Sequence, residues 1–471
     1  MNNLNKIKVG EKKHLIYDDR YFRLNAERVM KGNVIRALVE LITNCDDSYS
    51  RLGKNGSKET IGTIEIRIFR KRNSCTTFKI LDRAEGMTLE NMYSKIGRVG
   101  YANSGFLEGK PSRGLMGRGA KECVIFGSLR YQSIKDDGYA ETEINRKHLD
   151  LIAIADRPVN EADRVNLEIN KGNGTLVTLE VDPKWKIPNN ETFIKKFPKY
   201  YSLRDIMSED NRKIIFIDER KPNKKYHLIY DYPDGKTVFN EEISIPEYPN
   251  ANPMLIIKRS KERIKTEASS DYWEGGFQVK SEKAIHEVTS FSKDIENDLP
   301  YFEYYFGFLV CNYIDKLVRD YEKIEKKKGD HTDRNPFYII DPERNGLNVE
   351  HPFTRALYKE AGIVVKNLLK KEREKENNKI REIENRETKN RLKKLAKEVS
   401  KFIKENVEDI EIPVDEYYID SSEIPSGGWR IIPKGLNIPI GQEKRVYIYC
   451  KPISCKEKEY IEISTLNKDN I

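Results

Sequence analysis

The chain has 471 residues, of which 34% are charged, with 85 Lys and Arg set against 76 Asp and Glu for a net charge of +9. That length suits roughly two to four domains rather than one core, and the mild basic excess permits nucleic-acid contact without requiring it. No window approaches the roughly 18 apolar residues of a membrane span, the N-terminal residues lack a secretory apolar core, and six scattered cysteines show neither CxxC pairs nor zinc-spaced His partners; the expectation is a cytoplasmic protein with reduced thiols and no membrane contact.

Residues 27–52 follow a helical period, and TIEIRIF and TTFKIL, within residues 62–81, read as strands. A glycine-rich stretch over residues 97–119 breaks regular structure. A short helix from about Ala120, a strand over 127–134 and GTLVTLEV at 174–181 follow. This order predicts an α/β sandwich over residues 1–210. A helical segment near 191–207, the strands KIIFID, YHLIYD, MLIIKR and GFQVKS, and an apolar-aromatic stretch at 301–321 predict a second α/β domain over 211–360. Residues 361–410 are dense in Lys, Glu and Arg and read as a charged helical arm. Its apolar positions Leu392, Leu395, Val399, Phe402 and Val407 fall at helical spacing, so packing is expected only in its C-terminal half. Residues 411–471 turn to strands and Pro/Gly turns, EYYID, GGWRIIP and KRVYIYCKP, as either a truncated β-sandwich or a small β cap. The fold class is α/β throughout.

Chemistry concentrates in three places. In RALVELITNCDDSY, residues 36–49, Glu40, Asn44 and Asp47 fall within about 60° of one another on a helix. Ile35, Leu38, Ile42 and Cys45 lie opposite, so the apolar arc can sit on a sheet while the stripe faces a cleft. An amide oxygen at Asn44 suits Mg²⁺, a hard cation that takes oxygen ligands, and Glu40 one turn earlier is placed to take a proton from water. LDRAEGM, residues 81–87, puts Asp82 at a strand end, where a carboxylate accepts from an exocyclic amine; Gly86 and Met87 follow it. In SRGLMGRGAKECVIFG, residues 112–127, Gly114, Gly117 and Gly119 precede a short helix, an arrangement of free amides that suits an anion. Lys121 either reaches that anion or is exposed. Each element alone also has a plain reading, as an amphipathic helix, a β-turn and a flexible loop.

Taken in order, ELITNCDD, DRAEGM, GLMGRGAK and the Gly174–Thr175 pair resemble the four motifs of the GHKL superfamily (gyrase, heat-shock chaperone, histidine kinase and MutL), across about residues 27–181. The resemblance implies a Bergerat-type ATP-binding sandwich followed by a transducer-like domain. It implies Glu40 as catalytic base, Asn44 as magnesium ligand and Asp82 as the adenine contact with Gly86 beside it. Gly114, Gly117 and Gly119 would form the phosphate end of the ATP lid, and Thr175 would lie behind the base. Ala84 stands where the family usually has glycine, which would strain the backbone if φ there is positive.

The layout looks closest to MutL, MORC and topoisomerase VI B-type ATPases, in which a lysine from the second domain reaches the γ-phosphate and ATP closes a homodimer. Lys280 in GFQVKS is the chief candidate for that lysine, ahead of Lys258. The expected function is Mg-dependent ATP hydrolysis driving a dimerising clamp or switch, in a DNA transaction or defence against foreign DNA. A chaperone-like ATPase and a histidine-kinase-like phosphotransferase are the alternatives. DNA, or a protein docked on the arm or the β segment, is the expected partner.

Overall fold

The structure, a computed structural model, describes residues 19–52, 61–72, 74–98, 106, 113, 119–146, 149–265, 270–343, 345–406, 429–432 and 447–450. The fold is α/β. The chain forms two compact units, Met1–Ile380 and Arg381–Ile471.

The first unit opens with α1 (Asp19–Met30) and α2 (Val34–Leu52), followed by β1 (Gly62–Arg70), β2 (Thr76–Asp82), α3 (Leu89–Ile96), α4 (Gly119–Glu122), β3 (Gly127–Lys135), β4 (Gly138–Ile144) and β5 (Leu151–Pro158). Then come α5 (Glu161–Leu167), β6 (Gly174–Val181), α6 (Asn190–Lys196), α7 (Arg204–Ser208), β7 (Arg212–Asp218) and β8 (Lys225–Leu228). The helical run expected over residues 27–52 is two helices. Lys31 and Gly32 take positive φ, 50° and 64°, which breaks the chain's helical path, and Asn33 Oδ1 then accepts from Ile35 N at 3.0 Å as a cap.

The eight strands form one sheet in the order β5-β4-β3-β6-β2-β1-β7-β8. Neighbours are antiparallel except β1 and β7, which run parallel from Gly62↔Arg212 to Ile68↔Asp218. KIIFID and YHLIYD therefore extend the first sheet, and the boundary expected at residue 211 does not separate the two sheets. The reason is physical: Ile214 and Phe216 are buried in the same core as Ile64 and Ile66 of β1, an apolar edge that β7 covers. That core also takes in Ile35, Leu38 and Ile42 of α2, each contributing roughly 1.5–3 kcal/mol by burial.

A second sheet holds β9 (Gly235–Glu242), β10 (Met254–Ser260), β11 (Gly276–Lys280), β12 (Ile285–Thr289) and β13 (Tyr305–Val310), in the order β12-β11-β13-β10-β9. α8 (Lys293–Glu296) precedes β13, and α9 (Tyr313–Lys327) and α10 (Pro352–Asn406) follow it. Phe353, Leu357, Ala361, Val365 and Leu369, one helical turn apart, share the second sheet's core with Ile314, Leu317 and Val318 of α9. The arm is thus packed by its beginning and not, as its apolar pattern suggested, by its later half: Leu392, Leu395 and Val399 are 60%, 61% and 48% exposed.

In the second unit β14 (Trp429–Ile432) pairs antiparallel with β15 (Tyr447–Cys450); Val407 and EYYID lie outside the described residues. Among the described residues no helix is long and apolar enough to cross a membrane.

Candidate functional site

α2 presents Glu40, Asn44 and Asp47 to a cavity of about 310 Å³, which Cys45 also lines, with Leu38 and Ile42 buried behind them. Asn44 is exposed at its edge, Glu40 is half-buried and Asp47 is buried. The same cavity is lined by Asp82 at the end of β2, by Gly86 and Met87 in the following turn, by Gly119 and Lys121 of α4, and by Thr175 of β6. Three residues of the second sheet's β12 edge, Ala284, Ile285 and His286, complete it.

Sheet register builds the floor. Asp82 lies across from Thr175 and Thr175 across from Ser133, so the three form one row across β2, β6 and β3. Ser133 Oγ donates to Gly174 O at 2.8 Å, sits 2.9 Å from Thr175 Oγ1, and accepts from Met87 N at 2.8 Å. That last bond fastens the turn after β2 to β3. Burial pushes the Asp82 carboxyl up to about 6, opposed in part by donation from Ala84 N and the Cys45 thiol. A carboxyl poised there ionises readily once a donor faces it.

The turn needs its glycine. Gly86 has φ +65°, and a Cβ there would lie 2.1 Å from Ile134 O. Ala84 is not among the positive-φ residues, so the alanine there carries none of the strain that a positive φ would impose. Ser48, on the facing turn of α2, accepts from Glu85 N at 3.2 Å, and Arg51 pairs with Glu85 at 2.7 Å.

At the cavity's other end Lys121 is 4% exposed, and its ammonium donates to Arg98 O. Burial lowers it to about 8. Gly114 and Gly117 lie outside the described residues. Arg113, immediately before Gly114, donates from its backbone N to Asp47 Oδ1 at 3.1 Å and from Nε to Asp46 Oδ2 at 2.7 Å. The other Asp46 oxygen accepts from Arg212 Nε at 2.7 Å.

Lys280 is not brought to the cavity. Its ammonium is 2.6 Å from Asp205 Oδ1 and 4.4 Å from the centre of the Phe308 ring, where burial holds it below its usual value against the pull of Asp205. It sits at the end of β11 beside α7, a non-local pairing that a strand pattern does not disclose. Lys283, in the turn between β11 and β12, instead reaches α2, with Nζ 3.1 Å from Ser50 Oγ.

Sequence reasoning missed Ser133, Tyr131, Asp46 and Arg113. The row position of Ser133 and Tyr131 depends on register between strands about 40 residues apart. Asp46 carried a signal, as the buried acidic neighbour of Asp47 on the apolar side of the helix. Among the described residues no group of three or more His, Cys, Asp or Glu is arranged to hold a metal ion. A cation here would have to be completed by the oxygens of a bound ligand and water around Asn44. Comparison with protein-family models and with curated proteins gave no match in either case.

Proposed function

We infer that the cavity between α2 and the sheet binds ATP and that the protein hydrolyses it, in the manner of the GHKL superfamily its motifs resemble. The observation that carries the reading is the Asp82–Thr175 pair lining the cavity, tied to the buried Ser133 in the same row, and facing a helix that presents Glu40 and Asn44. A buried carboxylate acceptor at a strand end suits the amine of adenine. The start of α4, with Gly119 and the buried Lys121, suits phosphate oxygens.

Glu40 would accept the proton of the attacking water, and Asn44 would direct a magnesium ion that neutralises the phosphates. The two residues lie one helical turn apart, so base and ligand are held in fixed relation by α2. Lys280 is held by Asp205; Lys283, which touches α2 at Ser50 and adjoins the cavity-lining Ala284, is the nearer candidate for the lysine expected from the second sheet.

The second sheet, placed against the cavity by Ala284–His286, supports a switch in which nucleotide state is felt outside the first sheet. An ATP-dependent homodimer and a DNA client extend the proposal. The dimer rests on the likeness of layout and the client on the chain's basic excess. The deciding experiment is ATP turnover by the full chain with Mg²⁺, for wild type and Glu40→Ala, with binding of a β,γ-imido ATP analogue measured on both. Loss of turnover with binding retained is expected; undiminished turnover in the variant sinks the assignment. Turnover with and without DNA at rising salt tests the client, since phosphate contacts weaken steeply with salt.

A further inference from the structure

A residue of the cavity lining carries a buried polar atom that no described residue pairs. Tyr131, in the middle of β3, lines the cavity and is 4% exposed, and its hydroxyl is buried with no hydrogen-bond partner among the described residues. One other cavity-lining side chain, Ser202, shares that property. Only Tyr131 stands on the floor itself. It lies across from Val177, which lies across from Ile80, so Ile80, Val177 and Tyr131 form the row next to Asp82, Thr175 and Ser133 on the same face. Two residues of strand advance about 7 Å.

The neighbouring thiols offer Tyr131 little. Cys45 bonds Asp82, and Cys123 Sγ lies 3.3 Å from Gly119 O and 3.7 Å from Ala37 O. Ser133, two residues along, has its hydroxyl fully engaged. Phenylalanine would fill the Tyr131 volume without leaving a buried hydroxyl unpaired, so the hydroxyl is unfavourable for the fold alone. Burial also raises the phenol well above its usual value, so it stays a donor at any working pH.

We propose that Tyr131 is a base-recognition residue, whose phenol donates to a ring nitrogen of a purine that has its exocyclic amine on Asp82. This rests on the ATP reading above and adds selectivity to it. Asp82 selects a base with an amine; Tyr131 selects a bicyclic base, which reaches from the first row to the second, over cytosine, which has the amine but only one ring.

The test compares wild type and Tyr131→Phe by thermal unfolding and by calorimetry with the β,γ-imido analogues of ATP and CTP. A residue kept for stability would lower unfolding temperature and leave binding alone. The proposal requires the opposite. Tyr131→Phe unfolds at the same or a higher temperature, binds the ATP analogue about tenfold more weakly and binds the CTP analogue unchanged. As a second measurement, wild type loses affinity for either 3-deaza-ATP or 7-deaza-ATP, and Tyr131→Phe for neither. Unchanged affinity of Tyr131→Phe for the ATP analogue, or an equal loss for both analogues, overturns the proposal and leaves the ATP reading standing. A wild type that binds neither analogue sinks the ATP reading and this inference with it.

Discussion

Arg113 and Asp46 form a buried ion pair at 2.7 Å, with the guanidinium 5% and the carboxylate 1% exposed. Arg212 holds the second carboxylate oxygen, and Arg113 also donates from Nη1 to Lys283 O at 2.6 Å. One arginine therefore joins the glycine-rich segment, α2 and the turn at the edge of the second sheet. Burial alone would raise the Asp46 carboxyl, but Arg113 and then Arg212 outweigh it and hold it below the ordinary value of 3.8.

Removing one partner of such a pair strands a buried charge. Arg113→Ala should cost about 3–5 kcal/mol in urea unfolding at pH 7. Because the folded Asp46 pKa is depressed, its contribution is present above about pH 4 and is lost as pH falls through the lower folded value. In Asp46→Asn that acid-side loss should shrink. A profile below pH 4 that matches wild type would show that the pair contributes nothing.

Asp82 titrates with the opposite sign. Its folded value of about 6 lies above the ordinary 3.8, so between about pH 4 and 6 the folded protein keeps a proton that the unfolded chain has released. Stability from this group is highest below that window and falls by roughly 3 kcal/mol as pH rises through it. Asp82→Asn should remove this fall and be the more stable protein at pH 7. Nucleotide affinity should move the other way, since an ionised carboxylate accepts from an amine more strongly than its protonated form or an amide oxygen does. Wild-type affinity for the ATP analogue should drop below about pH 6, and Asp82→Asn should bind weakly at every pH. Unfolding and calorimetry at pH 5 and pH 7.5 check both signs.

How much of this is legible in the sequence depends on the range over which each feature is written. The Glu40, Asn44 and Asp47 stripe and the apolar arc behind it obey a local period, and both follow from the order of residues alone. Asp82 at a strand end and Gly86 in the turn after it are also local. The row containing Ser133 and Tyr131 is set by register between β6 and β3, and the Arg113–Asp46–Arg212 group joins three distant segments; neither leaves a local pattern. Lys280 misleads because a lysine at a strand end looks free to reach a ligand until α7 brings Asp205 to it. The packing of α10 is readable in part: Phe353, Leu357, Ala361, Val365 and Leu369 repeat every four residues, ahead of the charge-dense stretch whose later apolar positions point to the wrong end.

Gly86→Ala should be among the most damaging small substitutions in the first sheet. Alanine must adopt φ near +65° and push its Cβ to 2.1 Å from a backbone oxygen of β3. Neither partner is a flexible side chain. Strain of about 1–3 kcal/mol adds to the displacement of the turn, which should also break the bond from Met87 N to Ser133. Ala84→Gly should cost no more than about 1 kcal/mol, as a gain in unfolded-chain freedom. Unfolding curves for the two variants should therefore separate clearly; similar curves would show that the turn relaxes freely.

Phe106 gives the last prediction, because it links the glycine-rich segment to the second core. It is 1% exposed within that core. Arg319 of α9 lies 4.6 Å from the centre of its ring and donates from Nε to its carbonyl at 3.0 Å. The same guanidinium lies 3.6 Å from Glu282, in the turn whose next residue, Lys283, accepts from Arg113. Two anchors of one segment thus converge on residues 282–283, beside the cavity-lining Ala284–His286. Phe106→Ala empties a ring-sized volume and should cost about 3–5 kcal/mol. Arg319→Gln keeps the ring and loses the cation, so it should cost less, on the order of 1–2 kcal/mol. Hydrogen exchange separates a local effect from a general one. Both variants should speed exchange in β11 and β12 while leaving β3 and β6 protected, whereas equal acceleration in both sheets would mean that the sheets open as one unit and that Phe106 is ordinary core.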